Sequence, residues 1–227
     1  MGELDLSRQS KLVPVEALTT WNFHIFGVGS VGSHVAKLLS KTGFKNLTVY
    51  DMDKVESPNI GPQAFDFRHM GKLKTEAMVD IIKEVSGVEA KGINGKVDDN
   101  TIITPEPNTM YLCFFDSFEG RKIVYNKVKD YPVIFVDGRI GRFDMKHFLI
   151  ELSDEEQKQY YMRTFPTDDN EGSELQCGEK ASAFINYLIS SLIVTNIINY
   201  VSGNTYEKSF AGNALQSHNN MRAIMRR

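Results

Sequence analysis

Cysteine is scarce in this chain: two thiols, Cys113 and Cys177, among 227 residues. Two cannot frame a disulfide scaffold or supply a four-cysteine zinc site, so neither a disulfide-stapled domain nor a structural zinc is expected. A surplus of positive charge is missing as well. The formal net charge of −3 gives no general electrostatic case for nucleic acid or an anionic membrane. The first residues, Met1-Gly2-Glu3-Leu4-Asp5-Leu6, lack a basic region followed by a long apolar core, so no signal peptide is expected. Leu6 stands where a myristoylation signal wants Ser or Thr. The cytoplasm is the expected compartment. One stretch, residues 181 to 201, has the length and apolarity of a membrane span. Its Asn186, Ser190, Ser191, Asn196 and Asn199 would be costly in lipid, which predicts a buried core or dimer-interface helix instead. No internal repeat or low-complexity tract interrupts the chain. Its 41% hydrophobic and 24% charged residues are ordinary for a soluble fold, and the length suits one sizeable α/β domain across 1–227.

What is present is concentrated between Asn22 and Asp53. An apolar run, Phe23-His24-Ile25-Phe26, leads into Gly27-Val28-Gly29-Ser30-Val31-Gly32. A helical pattern follows through Ala36, Leu38 and Leu39 to Gly43, and a second apolar run, Leu47-Thr48-Val49-Tyr50, ends at Asp51. That order is strand, glycine loop, helix, strand, acid. The glycines suit a tight turn and close backbone approach to a phosphate, and the free N–H groups of the helix start would face the anion. Asp51 would accept hydrogen bonds from ribose hydroxyls.

The remainder reads as more of the same fold. Residues 52–63, rich in Pro and Gly, form a loop beyond a strand end, where α/β sheets bind ligands. Gly71-Lys72-Leu73-Lys74 opens a helix with Ala77, Ile81, Ile82 and Val85 on one face. Lysines at a helix start oppose its dipole, which makes Lys72 and Lys74 odd as helix formers and candidates for phosphate ligands, although a solvated lysine is the common case. A strand is expected within 88–99 and a doubly buried one at Met110–Phe115, ending at Asp116. Cys113, inside that run, reads as an inert core residue. A helix from Phe118 to Lys129 precedes a strand, Val133–Val136, ending at Asp137-Gly138-Arg139. Asp51, Asp116 and Asp137 would thus all lie at carboxyl ends of strands. The expected fold is a doubly wound, Rossmann-like, mostly parallel sheet with helices on both faces. Residues 1–20 form an N-terminal arm. Residues 153–180, with eight acids against three bases, read as a long crossover loop, and 211–227 as a poorly ordered tail. Near the end of the crossover loop Cys177 has only Lys180 beside it to lower its pKa; nucleophile and inert thiol are equally open readings.

The glycine unit alone fits NAD, FAD, S-adenosylmethionine or ATP. A dehydrogenase needs a hydride-handling pair, and none of the five histidines has a promising neighbour in sequence. Read together, Gly27-Val28-Gly29-Ser30-Val31-Gly32, Asp51-Met52-Asp53-Lys54-Val55-Glu56, Asn59, Gln63, Gly71-Lys72-Leu73-Lys74 and Asp116 resemble the ThiF/MoeB/HesA family, the adenylation fold of ubiquitin-activating enzymes. The resemblance runs over roughly residues 7 to 140. It implies an ATP-dependent adenylyltransferase that activates a carboxylate as an acyl-adenylate with release of pyrophosphate. It implies ATP held by Gly27, Gly29, Ser30, Gly32, Asp51 and Asp53, with Asn59, Gln63 and Lys74 around the phosphates and Mg2+ on Asp116. It further implies a homodimer in which Arg8, within Ser7-Arg8-Gln9, reaches the ATP of the other protomer. The substrate implied is the C-terminus of a ubiquitin-like or sulfur-carrier protein, or a peptide. Three departures stand out. Pro62-Gln63 replaces the family's Arg-Gln, leaving Arg68 or Arg139 as candidate substitutes. The paired Cys-x-x-Cys zinc motifs are absent. Beyond Arg139 the match is loose, and whether Cys177 forms a thioester stays open. A nucleotide- or partner-binding protein without turnover is the second reading.

Overall fold

The computed structural model describes residues 4–141, 143–166 and 183–214. Among them, seven strands build one sheet: β1 Asn22–Phe26, β2 Asn46–Asp51, β3 Lys91–Asn94, β4 Thr109–Cys113, β5 Ile134–Ile140, β6 Asp144–Glu151 and β7 Ser209–Asn213. The order is β3-β2-β1-β4-β5-β6-β7. The first five strands run parallel, and β6 and β7 are antiparallel additions. Strand order reverses between β1 and β4, and a sheet so wound opens a crevice at the carboxyl ends of those two strands.

The helices are α1 Val15–Thr20, α2 Gly32–Thr42, α3 Lys74–Ser86, α4 Phe118–Val128, α5 Glu155–Met162 and α6 Ala183–Val201. Alternation along β1 divides the core. Phe23 and Ile25 face a layer built by α2, α3 and α6, whereas Phe26 faces the opposite layer with Tyr125 of α4 and Tyr161 of α5. Both faces are covered. This is why Met110, Tyr111, Leu112 and Cys113 of β4 are all buried, and why that strand reads as one apolar run. Burial pushes the Cys113 thiol well up, so it stays protonated and unreactive.

Helix α6 settles the apolar stretch near the end of the chain. It has the length and composition to cross a membrane, but Ile185, Ile189, Ile193, Val194 and Ile197 are buried against α2 and the sheet. Each such side chain contributes about 2 kcal/mol on leaving water. The polar groups find partners within the protein. The Asn186 amide donates to Pro62 O at 2.8 Å, the Ser190 hydroxyl to Val31 O at 3.2 Å, and the Asn196 amide to Glu207 O at 2.6 Å.

Three expectations are corrected. The first part of the supposed crossover loop is helix α5. The Asp154 carboxylate caps it by accepting from the Glu156 and Gln157 N–H groups at 2.9 and 3.1 Å. The acids that suggested a loop are a helix start, where Glu155 and Glu156 meet the positive end of the dipole. The tail from 211 begins as a strand, since Ser209–Asn213 pairs antiparallel with β6. Asp137 does not end a strand at the rim; it sits inside β5, fully buried. Cys177 lies outside the described residues.

His147 on β6 is paired and stacked with Phe210 of β7, ring centroids 5.8 Å apart. Burial pulls its pKa from 6.5 to about 4. The unfolded chain therefore takes up a proton near pH 6.5 that the folded chain refuses until about pH 4. Stability present at pH 7 is lost as the pH falls through that window, by about 2 kcal/mol on reaching pH 5. Urea titrations at pH 7 and pH 5 should show this loss, and His147→Phe should remove most of it.

Candidate functional site

The crevice at the switch point is made by backbone in close contact. Gly27 leaves β1 with φ of +85°, and its N–H donates to Tyr50 O at 2.8 Å. A Cβ on Gly27 would lie 3.1 Å from the backbone of Phe114, the residue after β4. Gly32, the first residue of α2, is tighter: a Cβ there would lie 1.9 Å from Gly27 O. The loop thus turns back on itself and delivers the N-terminus of α2, with its free N–H groups and positive dipole end, to the mouth of the crevice. A Cβ on Gly29 would meet nothing nearer than the Gln63 amide nitrogen, 3.9 Å away. That is an open cradle rather than a packed one.

Side chains from β2 and α3 close one flank. The Asp51 carboxylate accepts from Val28 N–H and from Asp53 N–H, both at 2.9 Å. It therefore fixes the glycine loop to the end of β2. Burial pushes the Asp51 pKa up, opposed by the Lys74 charge and by these two hydrogen bonds. Lys74, first residue of α3, is buried and ion-paired through Nζ to Asp53 Oδ2 at 2.8 Å. Its backbone N–H also donates to Asp53 O at 2.9 Å.

The loop after β2 closes over the cradle. The Asn59 side-chain oxygen accepts from Glu56 N–H at 2.8 Å and shapes the turn. Pro62 O accepts from His34 Nε2 at 3.0 Å and from the Asn186 amide at 2.8 Å. Gln63 beside it has a buried Oε1 with no hydrogen-bond partner among the described residues. An acceptor left unmet next to an open glycine cradle suits a ligand that carries hydroxyl or N–H donors. Ser30 lies half-buried in the same loop. Across the crevice, Asp116 is exposed three residues beyond β4. No three metal-ligating side chains cluster among the described residues. Asp116 is a single carboxylate, the donor set Mg2+ accepts when phosphate oxygens complete its shell.

Close approaches and hydrogen bonds thus join Gly27, Gly29, Gly32, Asp51, Asp53, Asn59, Gln63 and Lys74 around the glycine loop that holds Ser30, and Asp116 lies two residues beyond Phe114. Arg8 does not join them within its own chain. Its neighbour Gln9 donates to Thr42 O at 2.9 Å, at the far end of α2, a helix roughly 16 Å long. Neither candidate for the missing arginine faces the crevice freely. Arg68 is bound to Asp66 and Glu84 at the surface. Arg139 is held by Asp137 Oδ2 at 2.7 Å and Thr164 O at 3.0 Å, among the rings of Phe118, Phe148, Tyr161 and Phe165.

Two parts of the site escaped the sequence reading. Ser33, fully buried, donates to Gly29 O at 2.6 Å and accepts from Ala64 N–H at 3.0 Å, joining the glycine loop to the loop above it. Arg121 of α4 reaches under the end of β4. Its guanidinium donates to Cys113 O at 3.3 Å, Gly138 O at 3.2 Å, Phe115 O and Asp137 Oδ1. Tyr161 completes Asp137 with a hydrogen bond of 3.0 Å to Oδ2. Burial pulls the Arg121 pKa down to about 10, which leaves it charged at neutral pH. A signal existed: Arg121 falls in register with Val124, Tyr125 and Val128 on the buried face of α4.

Comparison with known proteins agrees with this geometry. The model of the ThiF family matches residues 6–227. The catalytic subunit of the NEDD8-activating enzyme E1 of Arabidopsis thaliana is 33% identical over 102 residues, covering 44% of this chain and 22% of that protein. The tRNA threonylcarbamoyladenosine dehydratase of Haemophilus influenzae is 32% identical over 131 residues, 53% of this chain and 48% of that one. The chain thus spans less than half the length of either relative. Escherichia coli MccB, solved with ATP, superposes with a TM-score of 0.69 at 17% identity, covering 94% of this chain and 73% of that one. At that identity the likeness is one of fold.

The two glycines that differ in available space should separate experimentally. Gly32→Ala forces a methyl group into a carbonyl oxygen and should destabilise by about 3 kcal/mol or more. Gly29→Ala meets only ordinary contacts and should stay within about 0.5 kcal/mol of the parent in urea unfolding.

Proposed function

The chain belongs to the ThiF family, and from that premise we propose that it is an ATP-dependent adenylyltransferase acting on a carboxylate. The observation that carries the proposal is the convergence of an open glycine cradle, the buried Lys74 and the incomplete Gln63 amide on one crevice. The substrate proposed is the C-terminal carboxylate of a ubiquitin-like or sulfur-carrier protein, or of a peptide. The names of the relatives, one activating NEDD8 and one acting on a tRNA base, support carboxylate activation and leave the substrate to experiment.

In this reading a carboxylate oxygen attacks the α-phosphorus of ATP, the bond from that phosphorus to the α–β bridging oxygen breaks, and pyrophosphate leaves with the electron pair. The protein holds and orients; it forms no bond itself. The N–H groups at the start of α2 receive phosphate oxygens over Gly29. Lys74, turning from Asp53 toward the phosphates, offsets the charge that grows on the leaving group. Asp116 would hold Mg2+, whose positive charge would help offset that of the triphosphate. Arg8, carried at the opposite end of α2 from its own crevice, would serve the site of a second copy in a homodimer.

A reading without turnover has one observation in its favour. At Pro62 the loop is tied into the core through its carbonyl, and neither Arg68 nor Arg139 is free to replace the arginine that the resemblance leads one to expect. Such a protein would bind ATP and exchange no pyrophosphate.

Carboxylate-dependent exchange of labelled pyrophosphate into ATP separates the two readings. Lys74→Ala should lower exchange by about 100-fold or more, and Gly29→Ala should abolish ATP binding in a folded protein. If Arg8 acts across the dimer, mixing inactive Arg8→Ala and Lys74→Ala chains should restore exchange, because mixed dimers regain one intact site. Full exchange in Lys74→Ala would overturn the assignment.

A further inference from the structure

Building on the proposed role of Asp116, we infer that Arg121 is a positioning residue that sets where the Asp116 carboxylate stands. Among the described residues Asp116 makes no hydrogen bond and no ion pair; the charge of Arg121 acts on it through space, and its place is otherwise set by its backbone. That backbone is held from beneath. Arg121 donates to Phe115 O, the carbonyl immediately before Asp116, and to Cys113 O at the end of β4. The same guanidinium reaches Gly138 O and Asp137 Oδ1 on β5. One planar group thus ties the end of β4 and the interior of β5 to the segment carrying Asp116.

The chemistry requires arginine. The rigid fork sets two nitrogens at once, Nη1 toward Cys113 O, Gly138 O and Asp137 Oδ1 and Nη2 toward Phe115 O, whereas an ammonium is one nitrogen on a flexible stem. The anchor is itself fixed. Asp137 is fully buried and shared by Arg121, Arg139 and the Tyr161 hydroxyl. From above, the Phe115 ring lies on the first turn of α4, where a Cβ on Gly120 would come within 2.8 Å of it. The segment between β4 and α4 is therefore clamped on both sides, and Asp116 is its most exposed residue. A cation held by one carboxylate and by phosphate oxygens needs that carboxylate preplaced to a fraction of an ångström.

The test uses Arg121→Lys, which keeps the charge facing Asp137 and loses the fork. Binding of ATP is measured by calorimetry with and without Mg2+, for the parent, Arg121→Lys, Asp116→Ala and the double variant. In the nucleotide-free protein, amide hydrogen exchange at Phe115, Asp116 and Ser117 is followed as well. The expected result is a roughly tenfold rise in the Mg2+ concentration required, with Mg2+-free ATP affinity unchanged. Exchange at the three amides should quicken, and Arg121→Lys should add nothing once Asp116 is alanine. Equal weakening with and without Mg2+, or additive effects in the double variant, would overturn the inference by reducing Arg121 to a general stabiliser. Should Arg121→Lys fail to fold, Tyr161→Phe loosens the same anchor and must shift the Mg2+ requirement in the same direction. A parent that binds ATP with no Mg2+ dependence, or an Asp116→Ala variant identical to it, would instead remove the role of Asp116. Faster amide exchange in Arg121→Lys would then still report the clamp.

Discussion

The approach of Gly32 to the carbonyl of Gly27 is the constraint on which the rest of the molecule hangs. No side chain fits between them, so β1 and α2 are joined by a loop tighter than any other residue allows. Two consequences follow at once. The start of α2 is brought to the carboxyl ends of β1 and β4, and Phe114 passes directly beneath Gly27. The crevice is thereby a product of backbone sterics, defined before any polar side chain is added. Those side chains then tie the surrounding loops to it: Asp51 from β2, Ser33 from α2 itself and Asn186 from α6.

The polar groups of the two core layers work differently. On the α6 side, isolated amides and hydroxyls meet backbone groups, Asn186 at Pro62, Ser190 at Val31 and Asn196 at both the N–H and the carbonyl of Glu207, so the helix remains an apolar packing element with a few fixed points of attachment. On the α4 and α5 side, charge is concentrated in one place around Asp137. A carboxylate removed wholly from water is tolerable only when surrounded by donors. Two guanidinium groups and a phenol supply them. The aromatic rings around Arg139 add attraction to its cationic face.

Much of the fold was legible because its strands are buried on both faces. Phe23–Phe26, Leu47–Tyr50 and Met110–Phe115 stand out as short apolar runs, and the helices between them follow from spacing and glycines. Strand β6 and strand β7 were not legible, since an antiparallel extension at a sheet edge carries no glycine loop or acid to announce it. Helix α5 was misread because its capping acids, Asp154, Glu155 and Glu156, look in sequence like a solvated loop. In the crevice, residues whose chemistry is local to the glycine unit were legible as candidates. Ser33 and Arg121 were missed because each acts on a backbone atom distant in sequence or beneath a strand end, and such carbonyl partners leave no trace in residue type. Asp137 was seen but misplaced: an acid following an apolar run looks like a strand end until its arginines are known.

Helix α6 touches the crevice at two points, through Ser190 on Val31 and Asn186 on Pro62. It also presents Tyr187, half exposed, against the ring of His34 at 4.2 Å. The glycine loop, the loop above it and α6 therefore cannot shift independently. A nucleotide that ordered the two loops would act on the helix too, and a ligand on the exposed side of α6 whose affinity it changed would change the nucleotide's affinity by the same factor. Thermodynamic reciprocity makes the two events a single linked equilibrium.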